Sequence, residues 1–114
     1  MASIVQIIDE VRDEVGRGNL LPERAAELLT TLSALLGNIL EEITTNDMAY
    51  NQILMEYLEK EKTAANAKIK AGTTDEYRMM RTARNAEKTA TGLIASLKYY
   101  LKSKEQEYRA GNNF

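Results

Sequence analysis

Apolar residues near the start of the chain recur every three or four positions, at Ile4, Ile7, Ile8, Val11 and Val15. This spacing places them on one face of a helix. Ser3 belongs to the residue types that cap helix N-termini, and the "GRGN" of residues 16–19 contains types that tolerate the left-handed conformation at a helix end. The pattern therefore predicts a short amphipathic helix over residues 3–15.

A longer apolar pattern begins at Pro22, a residue type favoured in the first turn of a helix. Leucines and isoleucines keep the helical spacing as far as Ile43, and the spacing resumes between Tyr50 and Ile69. The polar "TTND" of residues 44–47 has poor helix propensity. We predict one helix over residues 22–71, kinked or loosened near Thr45, with a complete break there as the alternative.

The segment "AGTTDE" (residues 71–76) separates this helix from a third one. Gly72 suits a helix C-cap, and Thr73 with Glu76 has the spacing of a capping box. The apolar rhythm then continues almost to Gly111. We therefore predict a third helix over residues 74–110.

Helix-favouring residues dominate the chain, and it has only one Pro, so the fold class is predicted to be all-α. Both long helices exceed the roughly 25 residues beyond which coiled-coil packing is expected, and a short connection makes them antiparallel neighbours. The expected architecture is one all-helical domain (residues 1–114), a short N-terminal helix followed by a long antiparallel, coiled-coil-like hairpin. A hairpin leaves apolar surface uncovered, so we expect a homo-oligomeric helical bundle.

The third helix has an apolar seam with heptad spacing, and a row of cations and tyrosines lies beside it. Guanidinium and ammonium groups bind phosphate, and tyrosine rings stack on bases. The small residues Thr91 and Ala95 leave room within the row. The candidate ligand-binding residues are Tyr77, Arg81, Arg84, Lys88, Lys98, Tyr99 and Lys102. The alternative interpretation is a solvated flank that pairs with acids of another helix.

Glu87 occupies a seam position where an apolar residue is expected. Such a residue can fix the helix register by pairing with a cation of a neighbouring helix. Alternatively, it positions a cation that lines a pocket. The methionines Met48, Met55, Met79 and Met80 are expected to fill the core.

The composition excludes several kinds of chemistry. The chain has no Cys and no His, so it lacks the commonest general base and the commonest transition-metal ligands. Acidic pairs such as Asp9 with Asp13 have no third ligand and no partner base, which is typical of a solvated helix face. We predict no enzymatic activity, no metal site and no cofactor.

The net charge of −2 conceals an uneven distribution of charge. Residues 1–47 have nine acids and three bases, whereas residues 48–114 have eight acids and twelve bases. The acidic half could dock on a basic partner protein, such as a host enzyme. No apolar run approaches the roughly 20 residues of a membrane span, and the N-terminal segment lacks the positive start of a signal peptide. We expect a cytoplasmic protein without membrane contact.

From about Tyr50 onward the chain resembles a class of short, helical, phage-encoded accessory proteins of unassigned role. The resemblance lies in "YNQILMEYLEKEKTAANAKIKA", in the junction "AGTTDEYR" and in "LIASLKYYLK". It implies a viral or prophage protein of the host cytoplasm, with a role in genome replication or counter-defence.

Two functions follow from these observations. The first is a non-enzymatic homo-oligomer that binds a nucleotide or nucleic acid through cationic helix faces, for example by sequestering a signalling nucleotide. The second is an adaptor or inhibitor that acts through the acidic N-terminal half.

Overall fold

The computed structural model describes residues 3–112, and its regular secondary structure in that range is entirely α-helical. The four helices are α1 (Ile4–Gly16), α2 (Pro22–Lys60), α3 (Ala64–Ala71) and α4 (Asp75–Asn112). The all-α prediction is thus confirmed. Within the described range, no helix combines the length and the apolar character needed to cross a membrane.

Helix α1 begins as its sequence predicts. The Oγ atom of Ser3 accepts a hydrogen bond from the backbone N–H of Gln6 at 3.2 Å, and the Gln6 side chain accepts one from the Ser3 N–H at 2.9 Å. This reciprocal pair satisfies two backbone donors that the helix itself leaves free. At the other end, Gly18 has a positive φ of 80° and turns the chain toward α2.

Helix α2 is continuous through Thr45, so the predicted weak point is not a break. The Thr44 hydroxyl donates to the Leu40 carbonyl at 3.2 Å, which satisfies this polar group inside the helix. The chain is interrupted later, at residues 61–63. There the Thr63 hydroxyl accepts from the Asn66 N–H at 3.1 Å and caps α3. The prediction of a single helix to residue 71 is therefore wrong at this point.

The junction before α4 uses a different threonine from the predicted one. The Thr74 hydroxyl accepts from the Tyr77 N–H at 3.3 Å, whereas the Thr73 hydroxyl donates to the Lys70 carbonyl at 2.8 Å. The predicted capping box of Thr73 with Glu76 is therefore absent. Gly72 does cap α3, but with a right-handed φ of −68°.

The described chain divides into two compact units. The first unit contains the described residues up to Gly37 and those from Lys88 onward, and the second unit is Asn38–Glu87. Helices α2 and α4 each contribute a segment to both units. The expectation of a single domain over the whole chain stays a prediction.

The first unit has a core of aliphatic side chains from three helices. Its buried members are Val11, Ala25, Leu28, Leu32 and Leu97. The Tyr100 hydroxyl donates to the Leu20 carbonyl, which joins α4 to the loop before α2. Arg24 contacts both carboxylate oxygens of Glu14, at 2.6 and 2.9 Å, and so ties α1 to α2.

The second unit buries smaller side chains. Its buried apolar residues are Ile39, Ala67, Ala71, Ala83 and Ala86. Polar and aromatic contacts connect its helices, including the ion pair of Lys70 with Glu61.

Candidate functional site

The candidate ligand-binding residues all lie on α4, but they fall into two groups. Lys88, Lys98, Tyr99 and Lys102 belong to the first unit, whereas Tyr77, Arg81 and Arg84 belong to the second. The two groups differ in whether their side chains form ion pairs or ring contacts with other residues of the chain.

Two of the three second-unit residues make contacts within the chain. An Nη atom of Arg84 lies 2.5 Å from Oδ2 of Asp47 on α2. The Tyr77 ring packs against the Tyr50 ring with centroids 5.5 Å apart. Arg81 is exposed and forms no ion pair with any residue in the described range. Tyr77 and Arg84 therefore hold α4 against α2, and a role for them in ligand binding stays a prediction.

The Asp47 carboxylate has an unusual environment for a residue near the surface. Its Oδ2 accepts from Arg84, while its Oδ1 is buried and has no hydrogen-bond partner among the described residues. A buried acceptor without a partner costs free energy. Because Arg84 supplies the compensating charge, we assign it a structural role.

The first-unit residues are open to solvent. Lys88, Lys98 and Lys102 are exposed and form no ion pair within residues 3–112, and Tyr99 is 75% exposed. At 100° per residue these four side chains lie within about 100° of arc on α4. We call these four residues the cationic face.

The cationic face has little steric or acidic obstruction. Residues 88–104 contain four lysines and no acid. Thr91 and Ala95 are exposed and small, and a Cβ atom added at Gly92 would meet nothing within 4 Å. The nearest acids toward the C-terminus are engaged, because Glu105 pairs with Arg109 at 2.6 Å and Glu107 with Lys104 at 3.3 Å. An anion can therefore approach the helix closely.

The cationic face is a helix surface, and its four residues line none of three cavities found in the structure. A cavity of about 460 Å³ in the first unit lies between Leu20, Leu97 and Tyr100. A second of about 320 Å³ lies beside Glu14 and Arg24. A third, of about 290 Å³, lies in the second unit. The arrangement favours contact with an extended anion over enclosure of a small one by a single chain.

Several acids of the N-terminal half are paired within the chain. Asp9 pairs with Arg12 at 2.8 Å, and Arg24 contacts both Glu14 and Glu27. The hydrogen bonds from Arg24 lower the pKa of the Glu14 carboxyl, and the same contacts raise the pKa of Arg24. Likewise, the hydrogen bond to Glu61 raises the pKa of Lys70.

Glu87 is half-buried, and within the described range it has no ion-pair partner. A register-fixing pair for Glu87 therefore stays a prediction. The described residues also contain no group of three or more carboxylate, His or Cys side chains that could hold a metal ion.

The second unit has an apolar surface that the sequence-based predictions do not include. Met48, Met55 and Met79 were expected in the core, but they are 68%, 63% and 55% exposed. Met80 is half-buried. On α2, Leu40 and Leu58 are also exposed. The signal that could have revealed this surface is the uncharged series of residues 40, 44, 48, 51, 55 and 58.

Comparison with known proteins gives no relative for this chain. No protein-family model matches the sequence, and no curated protein or solved structure matches it significantly. Function is therefore inferred from the residues themselves, and the resemblance to phage-encoded helical proteins stays an expectation.

Proposed function

We propose that this protein is a non-enzymatic, homo-oligomeric binding protein that holds an anionic ligand, a nucleotide or a nucleic acid, on the cationic face of α4. One observation carries the proposal. Lys88, Lys98 and Lys102 are exposed and unpaired among the described residues, in a segment of α4 that contains no acid.

The chemistry of the cationic face suits phosphate groups. Ammonium groups donate charge-assisted hydrogen bonds to phosphate oxygens, and an exposed tyrosine such as Tyr99 supplies a ring on which a base stacks. The lysines follow the helix axis, so a nucleic-acid backbone contacts them in succession. A small nucleotide needs a second wall, which a second copy of the chain supplies.

The hairpin and the oligomer belong to the same proposal. In the second unit Asp47 contacts Arg84 and Tyr50 contacts Tyr77. The later α2 residue pairs with the earlier α4 residue, which supports antiparallel packing of the two helices. The exposed large apolar residues of this unit support association with another chain.

The proposal can be tested by fluorescence anisotropy with two probes, a labelled single-stranded oligonucleotide of about 20 nucleotides and a labelled nucleotide. The test variant is Lys88→Glu/Lys98→Glu/Lys102→Glu. The matched control is Lys60→Glu/Lys62→Glu/Lys68→Glu, which makes the same change in net charge at exposed lysines of the second unit.

We expect the cationic-face variant to bind at least about 30-fold more weakly, and the control to bind within about threefold of wild type. Three phosphate contacts to a single strand should also give a slope of about −2 when the logarithm of the association constant is plotted against the logarithm of the salt concentration. Equal losses in both variants, or no wild-type binding to either probe at about 100 µM protein, would contradict the proposal. The cationic face would then be a solvated flank.

The alternative, an adaptor or inhibitor that acts through the acidic N-terminal half, has weaker support. Arg12 and Arg24 already pair with Asp9, Glu14 and Glu27. Fewer acids of this half are therefore left to contact a basic partner.

A further inference from the structure

One side of α2 in the second unit carries exposed residues without a single charge. They are Leu40, Thr44, Met48, Asn51, Met55 and Leu58, and all six are exposed. Their spacings of three and four residues place them within about 80° of arc over a length of about 27 Å. We call this set the outer face of α2.

The apolar content of the outer face is unusual for surface that stays in water. Met48 and Met55 are 68% and 63% exposed, and Leu40 and Leu58 are 48% and 44% exposed. Meanwhile the second unit buries Ile39 and four alanines as its apolar interior. The described chain thus leaves four large apolar side chains of the outer face uncovered, which indicates that the outer face packs against another molecule.

Charges of opposite sign border the two edges of the outer face. Glu41 and Glu59 lie along one edge and have no ion-pair partner among residues 3–112. Along the other edge, Asp47 and Arg84 of α4 neutralise each other. The exposed Arg81, about one turn before Arg84, is the unpaired charge beside them. The surface therefore has two unpaired acids along one edge, the acidic edge, and one unpaired cation along the other, the cationic edge.

We infer that the outer face of α2 is the contact surface for a second copy of this chain, with the two α2 helices parallel about a two-fold axis. In a parallel pair the acidic edge of one copy meets the cationic edge of its partner, whereas an antiparallel pair brings the two acidic edges together. The parallel pair also places Asn51 opposite Asn51 of the partner, and a polar layer of this kind fixes the register of parallel helices.

This inference deepens the self-association in the proposed function, because it names the surface and the orientation. The first test is the mass in solution, measured by sedimentation or light scattering. Wild type should have twice the chain mass of 12.8 kDa. Met48→Glu/Met55→Glu should weaken dimerisation by about 100-fold or more, since it buries charge in the contact.

The matched control is Leu21→Glu/Tyr108→Glu, which adds the same charge at residues that are 66% and 72% exposed in the first unit. It should remain a dimer, and circular dichroism should show that both variants keep their helices. A monomeric wild type at about 100 µM, or a dimeric Met48→Glu/Met55→Glu variant, would overturn the inference.

The second test determines orientation and does not depend on the charge variants. The chain has no Cys, so a single introduced thiol reports its own neighbour. Leu58→Cys and Leu40→Cys should each form a disulfide-linked dimer under mild oxidation, because parallel copies bring equivalent residues within bonding range. Leu21→Cys should not. If crosslinks form only when Leu40→Cys and Leu58→Cys are mixed, the helices are antiparallel and the parallel pair is wrong.

The two proposals fail separately in these experiments. Mass and crosslinking report self-association alone, whereas anisotropy with the oligonucleotide reports the lysines of α4. If the protein dimerises but binds no anion, the proposed anion binding is wrong and the proposed dimer interface stands.

Discussion

The two units of this protein use segments of the same two long helices in different ways. The first unit buries Leu28 and Leu32 of α2 against α1 and against Leu97 of α4. The second unit buries alanines of α3 and α4 and leaves Met48 and Met55 of α2 exposed. The comparison shows that helix formation and core formation are separate properties of a sequence.

The difference has a compositional cause. The second-unit part of α4, "DEYRMMRTARNAE", contains no Leu, Ile or Val, and α3 contains one such residue, Ile69, which is 67% exposed. Alanines allow helices to approach closely, but each removes little apolar area from water. The first unit therefore has an aliphatic core of its own, whereas the large exposed apolar residues of the second unit are covered only in the dimer that we propose.

The largest effect should come from the first-unit core. Leu32 is fully buried, so Leu32→Ala should lower the free energy of unfolding by about 2–5 kcal/mol in urea denaturation. Leu21→Ala makes the same chemical change at a residue that is 66% exposed and should change it by no more than about 0.5 kcal/mol. A similar loss of unfolding free energy in the two variants would contradict the assignment of Leu32 to the core.

A somewhat smaller effect should appear in the alanine interior of the second unit. Ala67 is fully buried, so Ala67→Leu should overpack its site and lower the free energy of unfolding by about 1–3 kcal/mol. Ala65→Leu changes an exposed position of the same helix and serves as the control. A neutral or stabilising Ala67→Leu would show that the alanines do not mark a close helix contact.

The next comparison is between Arg84, which forms an ion pair with Asp47, and Arg81, which is exposed. Arg84→Ala removes the partner of Asp47 and should lower the free energy of unfolding by about 0.5–1 kcal/mol. Below the dissociation constant of the proposed dimer, Arg81→Ala should change it by no more than about 0.5 kcal/mol, because Arg81 has no ion-pair partner among the described residues. Equal effects in thermal melts would argue against a structural role for the Arg84 ion pair.

The smallest effect is a pH dependence in the first unit. Because Arg24 lowers the pKa of Glu14 below its ordinary value of 4.5, the stabilising contribution is present above that value. It is lost as the pH falls through the lowered pKa. The melting temperature of wild type should exceed that of Glu14→Gln at pH 7, and the gap should close in acid. Glu10→Gln, at an exposed position of α1, should show no such gap.

The helices were predictable because their apolar periodicity is local information. The break at residues 61–63 was missed because Glu59 and Lys60 before it and Ala64 and Ala65 after it favour helix, and Thr63 is the only cap signal there. The sequence also does not show which of the adjacent Thr73 and Thr74 caps α4. Both have a hydroxyl, and only the backbone path decides which one reaches the first turn of the helix.

The candidate site was predictable only where it depends on local sequence. The run of lysines without acids at residues 88–104 is visible in the sequence. The engagement of Arg84 is not, because Asp47 lies 37 residues away. Periodicity also cannot show which apolar face the chain itself covers, so Met48 and Met55 were expected in the core.

The most direct test of the account is hydrogen exchange measured by mass spectrometry at two protein concentrations, one above and one below the dissociation constant of the dimer. Dilution should increase exchange in α2 between residues 40 and 58 and leave the first-unit segments around Leu28 and Leu97 unchanged. Exchange that is independent of concentration throughout, or that rises equally in both units, would contradict the claim that only the second unit depends on a partner copy.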